Sequence, residues 1–168
     1  GGFAEAAAVG ELVVLAVRGA ADALGGVLDA AGGPSAFSGK VLVDVTNPLV
    51  FGDGPPPALE VGHDDSGGER LQRRLPEARV VKAFNTVGNG LMVDPDLPGG
   101  PPTMFIAGDD DAAKATVTAI LEAFGWRALD VGGIERSREL ESLCILWVAV
   151  GVKTGSWAHA ITLVTPDA

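Results

Sequence analysis

Two near-continuous apolar runs constrain this chain more than any other feature. Glu11-Leu-Val-Val-Leu-Ala-Val17 and Lys40-Val-Leu-Val-Asp-Val-Thr-Asn47 are rich in β-branched residues and do not alternate apolar with polar. A strand with one wet face alternates, whereas a strand covered on both faces does not. Such strands belong to parallel sheets held between two helix layers. Arg79–Phe84, Thr103–Ala107 and Trp126–Val131 read as three further strands. Helical patterns lie between them. Ala20, Leu24, Val27, Leu28 and Ala31 form one helical stripe. Ser66-Gly-Gly-Glu69 is a capping-box pattern with Leu71 and Leu75 on the face that follows. Asp109-Asp110-Asp111 places negative charge at a helix start, and the stripe Ala113, Val117, Ile120, Leu121, Phe124 runs to Gly125. A last helix starts near Ser137 and is apolar almost all round from Leu143, as a buried or interface helix is. Alternation of this kind predicts an α/β, doubly wound, mostly parallel sheet of about five strands, followed by a C-terminal apolar helix.

Composition narrows the function classes. The 168 residues fit one domain. A hydrophobic share of 47% is incompatible with a disordered chain. A net charge of −10 argues against duplex nucleic acid and anionic membrane surfaces, which need a basic face. The single cysteine, Cys144, forms no intramolecular disulfide and reads as a small core residue. No metal-ligand cluster is visible. The apolar stretch Leu143–Val152 is about half the length of a membrane span. No basic leader precedes it, so the expected location is the cytoplasm, with Cys144 reduced.

In open parallel sheets, ligands bind beyond the carboxyl ends of the strands. That rule selects Ala16-Val17-Arg18, Thr46-Asn47-Pro48 and Lys82-Ala83-Phe84-Asn85-Thr86. Two Asn-Thr pairs at neighbouring strand ends supply amides and hydroxyls for a polar planar ligand, and Lys82 adds a cation suited to an anionic one. Asn and Thr also cap turns, and either pair alone has that simpler reading. Asp44, inside an apolar strand, reads as a cap for the amides of a neighbouring loop rather than as a site residue. His63 lies in the 18-residue connection from Pro48 to Asp65. A connection that long argues for function, and a lone loop histidine argues for an ordinary surface position. Two histidines and one cysteine assemble no nucleophile–base pair by spacing.

At these clusters the chain resembles the NADP-dependent deazaflavin (coenzyme F-420) reductases. The resemblance rests on Val-Leu-Val-Asp44-Val-Thr46-Asn47-Pro48-Leu49 and on Val81-Lys82-Ala83-Phe84-Asn85-Thr86. Gly62-His63 before Ser66-Gly67, Gly108-Asp109-Asp110, and Leu140-Glu141 with Leu146-Trp147 add to it. It runs from Ala6 to about Val164. It implies a Rossmann-like NADP-binding domain and hydride transfer between NADPH and a deazaflavin or flavin-type acceptor. Such transfer works through orientation and water exclusion, so no acid or base is assigned. It implies cofactor contacts at Ala16, Val17, Arg18, Thr46, Asn47, Pro48 and Ala83, and acceptor contacts at His63, Lys82, Phe84, Asn85 and Thr86.

No Gly-x-Gly-x-x-Gly follows a strand in this chain, which opens with Gly1. The expectation is therefore a Rossmann-like domain truncated at its N-terminus: a single partial domain over 1–168, with sheet and helices in 1–133 and a helical segment in 134–168. Residues 11–17 should then lie at a sheet edge. Expected partners are a small-molecule substrate and a second copy docked through the C-terminal helix, with neither nucleic acid nor membrane. The alternatives are a binding or regulatory module without its own dinucleotide fingerprint, and a dimerising interaction domain.

Overall fold

The computed structural model describes residues 1–52 and 54–166. In chain order the elements are α1 (Phe3–Val9), β1 (Leu12–Leu15), α2 (Ala21–Ala30), β2 (Val41–Asp44), β3 (Leu49–Val50), β4 (Ala58–Leu59) and α3 (Gly67–Arg74). They continue with β5 (Arg79–Lys82), β6 (Thr103–Ile106), α4 (Asp111–Ala123), β7 (Arg127–Asp130) and α5 (Ser137–Thr154). All five expected strands are present, each shorter than its apolar run. The starts of α3 and α4 sit where the sequence puts them. Ser66 Oγ accepts from the Glu69 amide at the start of α3, and the Asp110 carboxylate accepts from the Ala113 amide at the start of α4. The fold also has α1, which the sequence reading did not place, and the β3–β4 hairpin inside the long connection.

Strands β1, β2 and β5 form a parallel sheet in that order. Its register sets Val13 beside Leu42 and Leu42 beside Val80. β6 and β7 pair in parallel as well. The two pieces meet where the backbones of Lys82 and Ala107 exchange hydrogen bonds of 2.8 and 3.2 Å. The sheet of about five strands is thus present as three plus two. β1 pairs with β2 alone among the described residues, so its other edge is open, as expected for residues 11–17.

Side chains along each strand sort onto the two faces with period two. Leu15, Leu42 and Val80 face Leu28 of α2, Leu71 of α3, and Ala7 of α1. Val41, Val43, Val81, Met104 and Ile106 face Val117 and Leu121 of α4. Burying each large aliphatic chain of this kind contributes about 1.5–3 kcal/mol. Helices cover both faces, which makes the fold Rossmann-like and doubly wound. One region is not covered. A nearly apolar groove of about 940 Å³ runs along Leu12, Val14 and Val43 against Ile120 and Phe124.

The C-terminal helix locks onto α3. Gly68 leaves room for Ser137, since a methyl group there would sit 2.3 Å from Ser137 Oγ. Arg138 donates to Glu69, with its Nε 2.8 Å from Oε2. Past α5 the chain folds back: Trp147 stacks on His159 at 4.9 Å, and the Ile161 carbonyl accepts from the Thr103 amide of β6. Among the described residues no helix is long and apolar enough to cross a membrane.

The Arg138 guanidinium holds the Glu69 carboxyl below its ordinary value of 4.5, against partial burial. A depressed folded-state pKa adds stability that is present above the unfolded value and lost as pH falls through the folded one. Arg138→Gln should therefore flatten the decline of stability below about pH 4.5. Urea unfolding at a series of acid pH values measures it, and an unchanged slope would remove this bridge from the account.

Candidate functional site

The strand ends are organised by a buried charge cluster. Lys82, at the end of β5, is wholly buried. Its ammonium lies 2.8 Å from Asp44 Oδ2, 2.8 Å from Glu141 Oε1 and 2.8 Å from the Thr46 carbonyl. All three of its N–H groups have acceptors. Burial pulls the Lys82 pKa down, but the two carboxylates outweigh it and hold the group above its ordinary 10.5. Glu141, from α5, also accepts from the Gly67 and Gly68 amides at 3.0 Å each. It thereby satisfies two donors at the start of α3, where the helix dipole favours a carboxylate. Asp44 Oδ1 accepts from the Thr46 amide and hydroxyl, at 2.9 and 2.7 Å. This is the capping role the sequence suggested for Asp44.

That cluster corrects the reading of Lys82 as a cation for an anionic ligand. Its charge is committed to Asp44 and Glu141, and no donor is left over. It positions the site rather than touching what binds there.

Above the cluster, the two asparagines interlock. Asn47 Nδ2 donates to the Asn85 carbonyl at 2.8 Å, and Asn85 Nδ2 donates to Asn47 Oδ1 at 3.0 Å and to the Leu140 carbonyl at 2.8 Å. The turn that allows this is left-handed at Phe84, with φ 59°. For a bulky residue that conformation is strained, and such strain clusters at functional sites. Its amide faces Met104 Sδ at 3.3 Å, and its ring lies against Phe124 with centroids 6.3 Å apart. Asn85 Oδ1 is buried with no partner. An unpartnered buried carbonyl is costly.

The loops after β1 and β2 touch. A methyl group on Gly19 would lie 2.2 Å from the Asn47 carbonyl oxygen, so only glycine permits this approach. Beside the contact is a hollow of about 270 Å³ lined by Val17, Arg18, Thr46, Asn47 and Phe51. That volume suits one ring system rather than a whole dinucleotide. Arg18 is exposed and makes no ion pair among the described residues.

The structure brings only part of the expected site together. Val17, Arg18, Thr46 and Asn47 share the hollow, with Asn85 bonded behind it. Ala16 turns to the apolar groove, and Pro48 to a second hollow between α2 and α3. Ala83, Phe84 and Thr86 are buried; Ala83 and Phe84 belong to the core on the α4 side, and Phe84 lines the apolar groove. His63 lies apart, in a shallow depression with Ser142 and Ile145 of α5. Its φ of 62° marks a tight turn in the loop. The sequence reading missed Phe51 and Glu141. Among the described residues no cluster of His, Cys, Asp and Glu can hold a metal ion. Cys144 is buried one turn from Glu141, and burial pushes its thiol up to about 11, so it is an inert core residue.

Lys82→Met leaves two carboxylates buried without their cation, and should cost about 3–5 kcal/mol in urea unfolding. Adding Asp44→Asn should recover part of that loss, because one of the stranded charges is removed. A double variant no more stable than the single one would contradict this account of the cluster.

No family model matches the chain. Individual proteins do. The crystal structure of an Arthrobacter sp. FB24 protein assigned as an F420-dependent NADP reductase superposes with a TM-score of 0.90 and 41% identity, covering 97% of this chain and 73% of that one. The F420-dependent NADP reductase of Methanocaldococcus jannaschii is 31% identical over 128 residues, 76% of this chain and 57% of that protein. The enzyme of the same name from Methanothermobacter marburgensis is 30% identical over 156 residues, 89% of this chain and 66% of that protein. The chain thus spans 57% and 66% of the lengths of these two methanogen enzymes. With 41% identity and a TM-score of 0.90 over 73% of that structure, the chain belongs to the F420-dependent NADP reductase family.

Proposed function

We propose that this protein takes part in hydride transfer between NADPH and a deazaflavin or flavin-type acceptor, and that its strand-end hollow receives the reacting rings. The carrying observation is that Thr46 and Asn47 line this hollow while Asn85 fixes the Asn47 side chain from behind. A nicotinamide carboxamide can pair with the hydroxyl and amide groups of this lining, so the residues present fit the ring end of the cofactor. Bound NADPH would supply the hydride. The chain's own residues do the rest: Thr46 and Asn47 orient the ring, the buried Lys82 cluster holds both loops in place, and Val17 keeps water from one side. Arg18 is the cation available to the cofactor's phosphates.

The pyrophosphate needs more than one arginine. Glycine-rich turns bind it at a helix N-terminus. We place such a turn beyond the open edge of β1, on a strand that this edge would pair, with its helix in the apolar groove over Val14 and Ile120. This reading makes 1–133 the sheet-and-helix part of one nucleotide-binding domain and 134–168 its helical segment. Its setting is the cytoplasm.

The protein expressed from its whole reading frame should consume NADPH only when coenzyme F-420 or a flavin is added. Asn47→Ala should lower kcat/KM about a hundredfold through misplaced rings. NADPH consumption with no such acceptor would refute the assignment.

A second copy is the proposed partner. Leu146 and Val150, one turn apart on α5, are 60% and 40% exposed. An apolar stripe on a docked helix suits an interface between like surfaces. Sedimentation equilibrium should report a dimer, and Leu146→Glu should return it to a monomer. A wild-type monomer at micromolar concentration would rule the interface out.

A further inference from the structure

Phe51 is the residue for which the hydride-transfer reading has so far given no use. It follows β3 in the hairpin and is 69% exposed, yet it lines the same hollow as Thr46 and Asn47. Everything else polar in that lining is an amide, a hydroxyl or the Arg18 guanidinium. Phe51 offers only a flat apolar face.

The hairpin that carries it is anchored at its base. The Glu60 amide donates to the Pro48 carbonyl at 2.7 Å, which closes the hairpin just outside the β3–β4 pairs. The Glu60 carboxylate accepts from the Ala21 amide at 3.2 Å, at the start of α2, and lies 3.9 Å from Arg70 of α3. One side chain therefore ties the base of the hairpin to both α2 and α3. An aromatic ring presented from an anchored base costs little ordering when a ligand arrives.

We infer that Phe51 is the stacking residue for the acceptor ring, and so selects planar conjugated acceptors over compact ones. This rests on the hydride-transfer reading. The amide-lined floor serves a ring that carries a carboxamide. The second ring must lie against the first on its open side, and it needs an apolar face rather than further hydrogen bonds. Phe51 is the exposed aromatic at the rim of that hollow.

Steady-state kinetics on the protein from its whole reading frame tests this, with coenzyme F-420 and FMN as acceptors. Phe51→Ala should raise the acceptor KM about tenfold and leave the NADPH KM unchanged, as loss of one stacked ring does. Phe51→Trp should restore the acceptor KM. Thermal unfolding midpoints should stay the same, because the side chain is exposed and packs on no core. Unchanged acceptor KM in Phe51→Ala would overturn the inference and leave hydride transfer intact. A rise in NADPH KM alone would also overturn it, since the ring would then serve the cofactor. A wild-type protein that reduces neither acceptor would defeat the hydride-transfer reading, and this inference with it.

Discussion

Lys82 carries its charge into a place without water, and the strand ends are arranged around that fact. An isolated buried ammonium is not tolerated, so carboxylates must come to it from elsewhere in the chain. Asp44 comes from the neighbouring strand β2, and Glu141 from the last helix. The second carboxylate would leave the cluster with excess negative charge. The amides of Gly67 and Gly68 offset it from the start of α3, at 3.0 Å each. Two strands and two helices are thereby joined at one point. The same point sets the loop after β2, because Asp44 and Lys82 between them bind the amide, hydroxyl and carbonyl of Thr46. A cluster like this adds little net stability over an apolar core of the same shape. What it adds is uniqueness of position, and a site that works by orientation needs that more than it needs stability.

Much of this was legible in the sequence wherever the signal was local. Uninterrupted Val and Leu runs mark strands buried on both faces, and β1, β2 and β5 are such strands. Ser66 reads as a cap because the three-residue spacing to its target amide is a property of one helical turn; Asp109-Asp110-Asp111 reads only as charge at a helix start, within which Asp110 is the cap. The open edge at β1 followed from a central-strand composition with no partner strand to its other side. The hairpin at Leu49–Val50 and Ala58–Leu59 was not legible, because two-residue strands carry no period. Helix α1 escaped for a related reason: a run of alanines states propensity but no buried face, and only Ala7 packs inward.

Site residues divide the same way. Thr46, Asn47 and Asn85 could be placed together because the rule about strand ends acts on neighbouring strands. Lys82 could not be read correctly, since its second partner Glu141 lies on a helix far along the chain, and nothing near either residue announces the pair. The same residue type at the same strand end means a ligand contact if its partners are absent and a scaffold if they are present. His63 shows the opposite error. Its loop passes close to the hollow in sequence, at Pro48 and Leu49, but the hairpin carries it away to the side of α5.

These placements separate a fixed floor from an adjustable rim. The floor is backbone and amide groups held by the Lys82 cluster and by the Gly19–Asn47 contact, where there is no room for even a methyl group. The rim is Phe51, exposed on the β3–β4 hairpin that no buried charge constrains. A rigid floor suits a cofactor ring that must be held in one orientation, and an exposed ring at the rim suits the proposed acceptor. Substitutions at the floor should then act on the fold and the transfer step together, whereas substitutions at the rim should change which acceptor is used while the fold stays the same.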